Sequence, residues 1–474
     1  MAIPKEILKV ERPSSTIVKP TRKENIYSVV KRTSKRIPGK KKPVPVEIGV
    51  VGKIINGVYI PNPDSPTYEV DVKSYGDFAL CEKVGKCIFD DLVKFYQLED
   101  AIKIYCIAML RVISPGIVNE DIAIEYKTSY ISEIYPSVSL SPNTISSCLE
   151  KIGMQTTIID EFMNDRIRKY SSHPTVIDGM LKSNNSETNI FSEFSRKGRI
   201  KGTEDINLIY AYDLNEKEPI ACEVFPGNML DFTALRSFIN EHPIKKGFII
   251  MDKGFDDNIS KEELDNFSTT YLIPIKVSST LIKKHELDKN YTSHFNYNED
   301  KIRCKKVIDN GKYYYAFKSL EMDNAQKKGY ITRAFEKGSF SEDKYDKKES
   351  KFGLIVFESN GDLELKDIYT AYQERWEIET LFNNYKNILM NNQVNVQGNY
   401  RLFATEFINF LSTIISYRIK NLLIKKGLYD KYTQKEVFRL LSKHLKKRSS
   451  KNSTKWIDCA RLKSIIELEK ILGV

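Results

Sequence analysis

The chain has 474 residues, a length that predicts roughly two to four domains. Hydrophobic residues make up 41% of it and aromatic residues 11%, so the composition supplies sizeable cores and excludes a globally disordered chain. The net charge of +11 fits a polyanionic partner such as nucleic acid, although ribosome-associated and membrane-surface proteins share such an excess.

Cysteine and histidine usage bears on compartment and metal binding. The seven cysteines form no Cys-x2-Cys pair, and the five histidines show no metal-ligand spacing. This pattern argues against a zinc cluster and a disulfide framework, and it favours a reducing compartment.

The sequence contains no leader-like apolar region and no apolar run of membrane-spanning length. We therefore expect a soluble, cytoplasmic protein without a membrane partner.

The chain begins with a basic, turn-rich segment. Between Lys31 and Lys42 there are seven lysine or arginine residues and no acid. Such a run is either a solvated mobile arm or an arm that binds phosphates by releasing counterions. We interpret residues 1–45 as a basic N-terminal arm.

The next region, 46–165, is predicted to be mostly helical after an initial hairpin. The Asn56-Gly57 pair between apolar runs predicts the hairpin turn. Apolar positions recurring at three and four predict helices within 78–112. We assign DNA binding to this region.

Two further helical stretches between 118 and 153 flank the sequence SVSLSPNT. Ser141 fits an N-cap, and Pro142 fits the first position of the helix that follows. The two stretches are either a helix-turn-helix that reads DNA or an ordinary helical hairpin, and the sequence leaves both interpretations open.

After residue 170 the pattern changes to apolar runs of strand length. Three strands are followed by a helix, a strand, a helix near 258–267 and a fifth strand. The strand sequences are TVIDGML, INLIYAYDL, PIACEVF, KGFIIMD and TTYLIPIKV. Three meandering strands followed by alternating helix and strand predict an α/β domain with a mixed sheet and helices on its faces.

The alternation of helices and strands does not continue through residues 281–353. They are lysine-rich and only locally apolar, and they predict a β-rich insertion rather than a continuation of the sheet. One more strand, FGLIVFES, precedes a long helix that begins near Asp367, and an apolar helix follows at 404–425. The sequence KEVFRLLSKHLKKRSSKNS predicts a basic amphipathic helix within the last segment, 426–474. Basic residues at 435–451 are expected to add salt-dependent affinity for DNA.

The stretch YQERWEIETLFNNYK carries four polar side chains at offsets of 3, 7 and 14: Tyr372, Arg375, Glu379 and Lys386. At about 100° per residue these offsets place all four on one narrow helix face, about 21 Å long. A carboxylate among a phenol, a guanidinium and an ammonium suits a phosphate-bearing ligand together with a metal. The alternative is a solvated face with an ordinary Arg-to-Glu pair at four-residue spacing.

Two aspartates strengthen the interpretation as a metal site. Asp178 lies in the first strand of the predicted sheet, and Asp252 ends the fourth. A carboxylate in a buried strand costs desolvation free energy unless it binds a partner or points into a site. If these two strands are neighbours, both aspartates converge, and a helix packed across that edge brings in Glu379. Three carboxylates without a histidine cluster favour Mg²⁺ or Mn²⁺.

These motifs together resemble the IS-four-type DDE insertion-sequence transposases. The spacing Tyr372-x2-Arg375-x3-Glu379-x6-Lys386 is similar to the YREK signature of that family. The sequences VIDG, FPGN and DKGF precede it in the family's order. One departure is Met180, where many relatives have a threonine.

The resemblance implies an RNase H-like mixed-sheet catalytic core at 170–280 and 354–425. A β-rich insertion at 281–353 interrupts this core, a mainly helical N-terminal region precedes it, and a basic C-terminal helical segment follows it. Hairpin-forming relatives stack a flipped base on a tryptophan of the insertion, which this chain lacks. The aromatic residues Tyr313, Tyr314 and Phe317 are either substitutes for that tryptophan or strand-core residues.

The resemblance also implies site residues and cofactors. Asp178, Asp252 and Glu379 are the catalytic residues and would hold two Mg²⁺ or Mn²⁺ ions. Tyr372, Arg375 and Lys386 are the DNA-binding residues and would contact phosphates near the transposon end.

The implied activity is cut-and-paste transposition. A homodimer would cleave double-stranded DNA at the terminal inverted repeats of an insertion sequence and join the 3′ ends to target DNA. It would act in the bacterial cytoplasm, associated with the nucleoid. The alternatives are a metal-dependent nuclease on the same core and a catalytically inactive or repurposed sequence-specific DNA-binding protein. A ribosome-associated protein would leave the three carboxylates unexplained.

Overall fold

The computed structural model describes the whole chain apart from residues 1–2, 37–42, 63–69, 171, 195–203, 230, 243, 245–246, 252–264, 266–268 and 449–454. Asp252, almost all of the helix predicted near 258–267 and half of the basic run from Lys31 to Lys42 lie outside the described residues.

The described residues form helices and strands throughout the chain. The strands are β1 (Thr16–Pro20), β2 (Ile26–Lys35), β3 (Val44–Ile55), β4 (Val58–Pro61), β5 (Asp71–Ser74), β6 (Thr175–Asn184), β7 (Glu193–Phe194), β8 (Glu204–Asp213), β9 (Glu218–Pro226), β10 (Phe248–Ile250), β11 (Thr270–Pro274), β12 (Ser293–Tyr297), β13 (Asp300–Asp309), β14 (Lys312–Ser319), β15 (Leu354–Ser359), β16 (Gln393–Val394), β17 (Leu445–Arg448) and β18 (Ile457–Asp458). The helices are α1 (Lys5–Leu8), α2 (Gly76–Leu92), α3 (Leu98–Ile113), α4 (Ile122–Thr128), α5 (Ile131–Ile134), α6 (Pro142–Gly153), α7 (Thr156–Tyr170), α8 (Asp231–Glu241), α9 (Thr280–Lys284), α10 (Leu320–Glu336), α11 (Glu342–Glu349), α12 (Leu365–Glu374), α13 (Glu377–Asn383), α14 (Asn399–Lys425), α15 (Gln434–Leu441) and α16 (Lys463–Leu472), with a π-helical segment at Asn384–Ile388.

The chain folds into two compact units. The terminal unit combines Met1–Gly76 with Leu441–Ile466, and the central unit combines Asp77–Leu440 with Glu467–Val474. Both ends of the sequence therefore contribute to one unit, whereas the sequence predicted a separate segment at each end.

The terminal unit contains an antiparallel sheet in the order β1-β2-β3-β4. The predicted hairpin is confirmed: β3 pairs with β4, and the turn residues Asn56 and Gly57 have φ angles of 51° and 79°, which are the left-handed values a two-residue turn requires. The basic arm predicted for residues 1–45 is wrong for 16–35, which form β1 and β2. These strands form because Val18 and Val29 lie opposite each other and are buried in the core of the unit.

The predicted basic amphipathic helix near the C-terminus is only partly correct. Its first half is α15, but Leu445–Arg448 form strand β17, which pairs with β5 and β18 in a second sheet. Arg448 donates a hydrogen bond to Asp71, with 2.7 Å between Nη2 and Oδ2. Strand pairing with a distant segment therefore overrides the helical pattern of the local sequence.

The central unit is built on a mixed sheet. One half has the order β9-β8-β6-β10-β11, in which β6, β8 and β9 pair antiparallel while β6, β10 and β11 pair parallel. This arrangement confirms the five strands predicted from the apolar runs and their mixed character. It also makes the first and fourth predicted strands neighbours.

The same sheet continues through the predicted insertion, and this corrects the expectation of a separate module. Strand β15 pairs with β11 at Ile273 and Pro274, and β14, β13 and β12 follow it in antiparallel order. The strands join because apolar side chains of β14 and β15 share a buried cluster with Ile275 and Ile282. Residues 281–353 also contain α10 and α11, so the segment is α/β rather than purely β.

The helices before the sheet confirm several local predictions. Residues 78–112 form α2 and α3 with a turn at 93–97 between them, and the Ser141 hydroxyl accepts a hydrogen bond from the Thr144 amide at the start of α6. The long helix α14 packs against α3, α6 and β9, so the apolar face of α6 is buried within the central unit. Among the residues that the structure describes, none of the helices has the length and apolar character needed to cross a lipid bilayer.

The close approach of α6 to α14 predicts a large effect at Gly153. A Cβ atom there would lie 1.7 Å from the carbonyl oxygen of Tyr400, so Gly153→Ala is expected to lower the free energy of unfolding by about 2 kcal/mol or more. Gly329→Ala is the matched control, because the atoms nearest to its Cβ are 3.6 Å away on the flexible Arg333 side chain. The control is expected to gain up to about 1 kcal/mol. Equilibrium urea unfolding measures both, and equal effects would refute the predicted clash.

Candidate active site

Strand β6 lies in the middle of the β9-β8-β6-β10-β11 half of the sheet and carries the first predicted carboxylate. Asp178 is half-buried, and its Oδ1 accepts a hydrogen bond from the Gly179 amide at 2.8 Å. Directly opposite on β8 is Tyr210, which is fully buried. Because directly opposed residues of an antiparallel pair project on the same face, Asp178 lies on the face that Tyr210 occupies.

The parallel neighbour of β6 leads to the second predicted carboxylate. Ile250, the last residue of β10, is aligned with Val176 of β6. Asp178 follows Val176 by two positions, and Asp252 follows Ile250 by two positions. The predicted adjacency of the two strands is confirmed. Asp252 itself lies outside the described residues, so its approach to Asp178 stays a prediction.

The helix that carries Glu379 packs against β6. Phe382, one turn further along α13, lies with its ring centre 6.1 Å from that of Tyr210, and the ring of Tyr385 lies at the same distance. Since Tyr210 is the cross-strand partner of Asp178, this packing brings Glu379 and Asp178 to one face of the sheet. Within the described part of the chain, the half-buried Glu379 carboxylate makes no hydrogen bond or ion pair.

The single regular helix face predicted for the four polar side chains is wrong, because the helix is irregular at two points. Between α12 and α13 the Glu379 amide bonds to the carbonyl of Trp376, three residues earlier, at 3.2 Å. At the π-helical segment the Leu389 amide reaches back five residues to the carbonyl of Asn384 at 2.9 Å. A wider π turn changes the angular step per residue, so Lys386 does not keep the phase of Tyr372.

The three polar side chains on either side of Glu379 have different surroundings. The Tyr372 ring packs edge-on against Phe357 with 4.7 Å between centroids, and the Arg375 guanidinium lies 5.7 Å from the centre of the Tyr372 ring. Lys386 donates a hydrogen bond from Nζ to the carbonyl oxygen of Leu181 on β6 at 2.8 Å. Burial raises the pKa of the nearby Asp205 carboxyl, and the positive charge of Lys386 opposes that shift.

A buried polar network that the sequence analysis missed joins β6 to the helices on this face. Lys182 Nζ donates to the Tyr385 hydroxyl and to Glu406 Oε1, both at 2.8 Å, and the Tyr385 hydroxyl also donates to Glu406. Burial lowers the pKa of Lys182 and raises that of Tyr385. The network connects the strand of Asp178 to the segment that follows Glu379. The sequence signal that could have indicated this network is a lysine four positions after Asp178 in an otherwise apolar strand.

A cavity of about 400 Å³ opens beside β9 and α14. Its lining includes Asp160, Glu223 and Glu241 together with Met163 and Phe407. Burial raises the pKa of Glu223 to about 8 and that of Asp160 to about 6. Neither Asp178 nor Glu379 lines this cavity, so we do not assign it to the active site.

The carboxylates have the donor chemistry of a site for hard divalent cations. Asp178 and Glu379 present oxygen ligands from two neighbouring elements, which is the ligand type that Mg²⁺ and Mn²⁺ prefer. Among the described residues no three acidic, histidine or cysteine side chains come together as a metal site. The third predicted carboxylate, Asp252, is outside that set.

Comparison with known proteins assigns the class. Residues 176–411 match the family model described as "Transposase DDE domain", and this range contains Asp178, Asp252 and Glu379. The chain is a DNA transposase of the DDE class, an enzyme that cleaves phosphodiester bonds and transfers DNA strands. Enzymes of this class generally use divalent metal ions. No curated protein matches the sequence.

Two solved structures are distantly similar. The cryo-EM structure of the piggyBac transposase synaptic complex with hairpin DNA is 11% identical with a TM-score of 0.37, covering 78% of this chain and 79% of that chain. The Mos1 transposase paired-end complex with the left transposon end is 11% identical with a TM-score of 0.15, covering 37% of this chain and 58% of that chain.

Proposed function

We propose that this transposase is of the IS-four type and that Asp178, Asp252 and Glu379 form its catalytic centre on an RNase H-like core. The observation that carries the proposal is the position of β6. It lies beside β10, whose last residue is two positions before Asp252, and beneath the helix of Glu379. The strand order β9-β8-β6-β10-β11, with three antiparallel strands and two parallel ones, supports the RNase H-like assignment.

The three carboxylates would hold two Mg²⁺ or Mn²⁺ ions. Bound there, the ions would activate a water or a 3′-hydroxyl and stabilise the departing 3′-oxygen of a phosphodiester. Asp178 is fixed by its strand and by the Gly179 amide, while Glu379 belongs to a helix packed on that strand. Because the ligands come from two separate elements, the geometry of the centre depends on how the helix packs on the strand.

Tyr372, Arg375 and Lys386 would bind phosphates of the DNA on either side of Glu379. Arg375 offers a planar fork of donors, and its position over the Tyr372 ring restricts its orientation. Lys386 donates a hydrogen bond to the carbonyl of Leu181 and carries a positive charge that attracts phosphate. We therefore assign Lys386 a double role, in which it anchors the helix to β6 and contacts phosphate.

The substrate that fits this centre is double-stranded DNA at the terminal inverted repeats of an insertion sequence. We propose a homodimer as the active form, because two element ends must be cut and joined together in cut-and-paste transposition. A metal-dependent nuclease on the same core is the second candidate function, since the carboxylate arrangement alone supports cutting as well as joining.

The test uses labelled duplex DNA that carries the element's own flanking inverted repeat, a target plasmid and Mg²⁺. We expect cleavage at the repeat end followed by joining of the freed 3′ end to the plasmid. A duplex with a scrambled repeat is the control. Cleavage without joining would establish the nuclease instead, and binding without cleavage in both Mg²⁺ and Mn²⁺ would establish an inactive DNA-binding protein.

A further inference from the structure

Positive charge is concentrated in the terminal unit. Its 102 residues, Met1–Gly76 and Leu441–Ile466, contain 23 lysine or arginine and 8 aspartate or glutamate residues, a net charge of +15. The whole chain has a net charge of +11, so the central unit has 11 − 15 = −4. Because the net charge of the central unit is negative, its overall electrostatic field adds little affinity for a polyanion such as DNA.

We infer that the terminal unit supplies most of the affinity of this transposase for the DNA backbone, through two basic sheet surfaces built from both ends of the chain. The inference rests on the proposed function, in which DNA is the substrate. It adds to that proposal the unit of the chain that provides the affinity for DNA. Phosphate contacts by lysine and arginine supply most of the sequence-independent affinity of DNA-binding proteins.

The first surface is the outer face of the sheet β1-β2-β3-β4. Lys19, Ser28 and Lys53 form one row across three strands, because Ser28 is aligned with Lys19 on one side and with Lys53 on the other. Arg32 lies four residues beyond Ser28 on the same face of β2, with the buried Val30 between them. Arg32 and Lys53 are exposed, and Glu47, which lies 2.6 Å from Lys19, is also aligned with Arg32 across the strands. The opposite face is covered by residues that include Ile3 and Ile7.

The second surface is the small sheet β5-β17-β18. Lys446 Nζ lies 3.5 Å from the centre of the Tyr75 ring, and the Arg448 guanidinium lies 4.5 Å from the centre of the Trp456 ring. Such contacts hold cationic side chains in place. Lys447 is exposed on the same strand and, being one position from each of these cations, projects from the other face of the sheet. Cations combined with aromatic rings are the side-chain composition of surfaces that bind nucleic acid strands.

This placement differs from the expectation that the helices of residues 46–165 bind DNA. The helices α2 to α7 belong to the central unit, apart from Gly76 at the start of α2. The apolar face of α6, the second helix of the predicted helix-turn-helix, packs against α14. The sequence separates the two basic surfaces by hundreds of residues, so only the fold shows that they belong to one unit.

The test compares two variants of the full chain that each lose three positive charges. Arg32→Ala/Lys53→Ala/Lys447→Ala removes exposed cations of the terminal unit, and Lys283→Ala/Lys344→Ala/Lys347→Ala removes exposed cations of the central unit. Binding of a fluorescent duplex is measured in EDTA over a range of KCl concentrations. Without divalent ions no cleavage occurs, so the result does not depend on the catalytic assignment.

For the terminal-unit variant we expect the slope of log K against log salt to become shallower by about 2 to 3, which corresponds to about 0.9 per lost phosphate contact. The central-unit variant is expected to keep the native slope. The charge-retaining variant Arg32→Lys/Lys53→Arg/Lys447→Arg controls for folding and should bind like the native protein. A native slope in the terminal-unit variant, or an equal loss in both alanine variants, would overturn the inference.

Discussion

Glu379→Gln and Asp178→Asn are each expected to slow DNA cleavage by about a thousandfold or more, equivalent to about 4 kcal/mol of lost transition-state stabilisation. Either amide keeps the size of the side chain but removes the negative charge that a divalent cation needs from its ligand. Duplex binding should remain, because the basic residues of the terminal unit are unchanged. Single-turnover cleavage of end-labelled duplex in Mg²⁺ measures the rate, and duplex binding in EDTA measures the affinity.

The same helix offers a matched control two residues earlier. The carboxylate of Glu377 is paired with Lys420 Nζ at 3.0 Å, so Glu377 serves the packing of α13 on α14. Glu377→Gln is expected to cleave at close to the native rate. If Glu377→Gln and Glu379→Gln lose activity equally, the loss reflects damage to the helix, and Glu379 is not a metal ligand. Native cleavage by Glu379→Gln would contradict the assignment directly.

Lys182→Met is expected to lower the free energy of unfolding by about 3 to 5 kcal/mol. The side chains of Lys182 and Glu406 are 1% and 2% exposed, so removing the cation leaves a buried carboxylate without its counter-charge. The Tyr385 hydroxyl, which donates to the same carboxylate, cannot neutralise it. Equilibrium urea unfolding at neutral pH measures the loss.

The double variant Lys182→Met/Glu406→Gln separates charge from packing. Because it removes both members of the Lys182–Glu406 pair, it is expected to recover part of the stability lost in Lys182→Met, although the buried Arg111, which Glu406 also stabilises, loses that carboxylate. The double-mutant cycle gives the interaction energy. Lys284→Met is the control, since Lys284 pairs with Asp309 at 2.6 Å but is 58% exposed. Such a surface pair contributes about 0 to 1 kcal/mol. A loss in Lys182→Met no greater than in Lys284→Met would show that the buried pair does not stabilise the fold.

Local chemistry explains which parts of the fold could be predicted from the sequence. The Asn56-Gly57 turn, the Ser141 cap and the strands β6, β8 and β9 depend on residues close together in the chain, and each prediction is confirmed. Strand β17 could not be predicted, because Arg448 and its partner Asp71 are 377 positions apart. The continuation of the sheet through β14 and β15 likewise depends on pairing between segments whose local sequences do not specify a partner.

The candidate site was likewise only partly predictable from the sequence. The order of the motifs predicted Asp178 and Glu379, and the structure brings their strand and helix together. The π-helical segment was not predicted, because a uniform 100° per residue cannot reveal where a helix widens. Lys182 was not singled out either, since its partner Glu406 is 224 positions away in a helix with no distinguishing pattern. Long-range pairing of single polar residues leaves little trace in one sequence.

The construction of the terminal unit from both ends of the chain has a consequence for protein synthesis. Within the described residues β5 has β17 as its only partner strand, and β17 is translated about 370 residues later. At about 5 to 20 residues per second, β5 waits tens of seconds on the ribosome before this sheet can form. A transcript cut short anywhere before Leu441 yields a chain that lacks β17 and β18. Possession of the complete basic unit therefore marks a polypeptide that has been translated at least as far as Ile466.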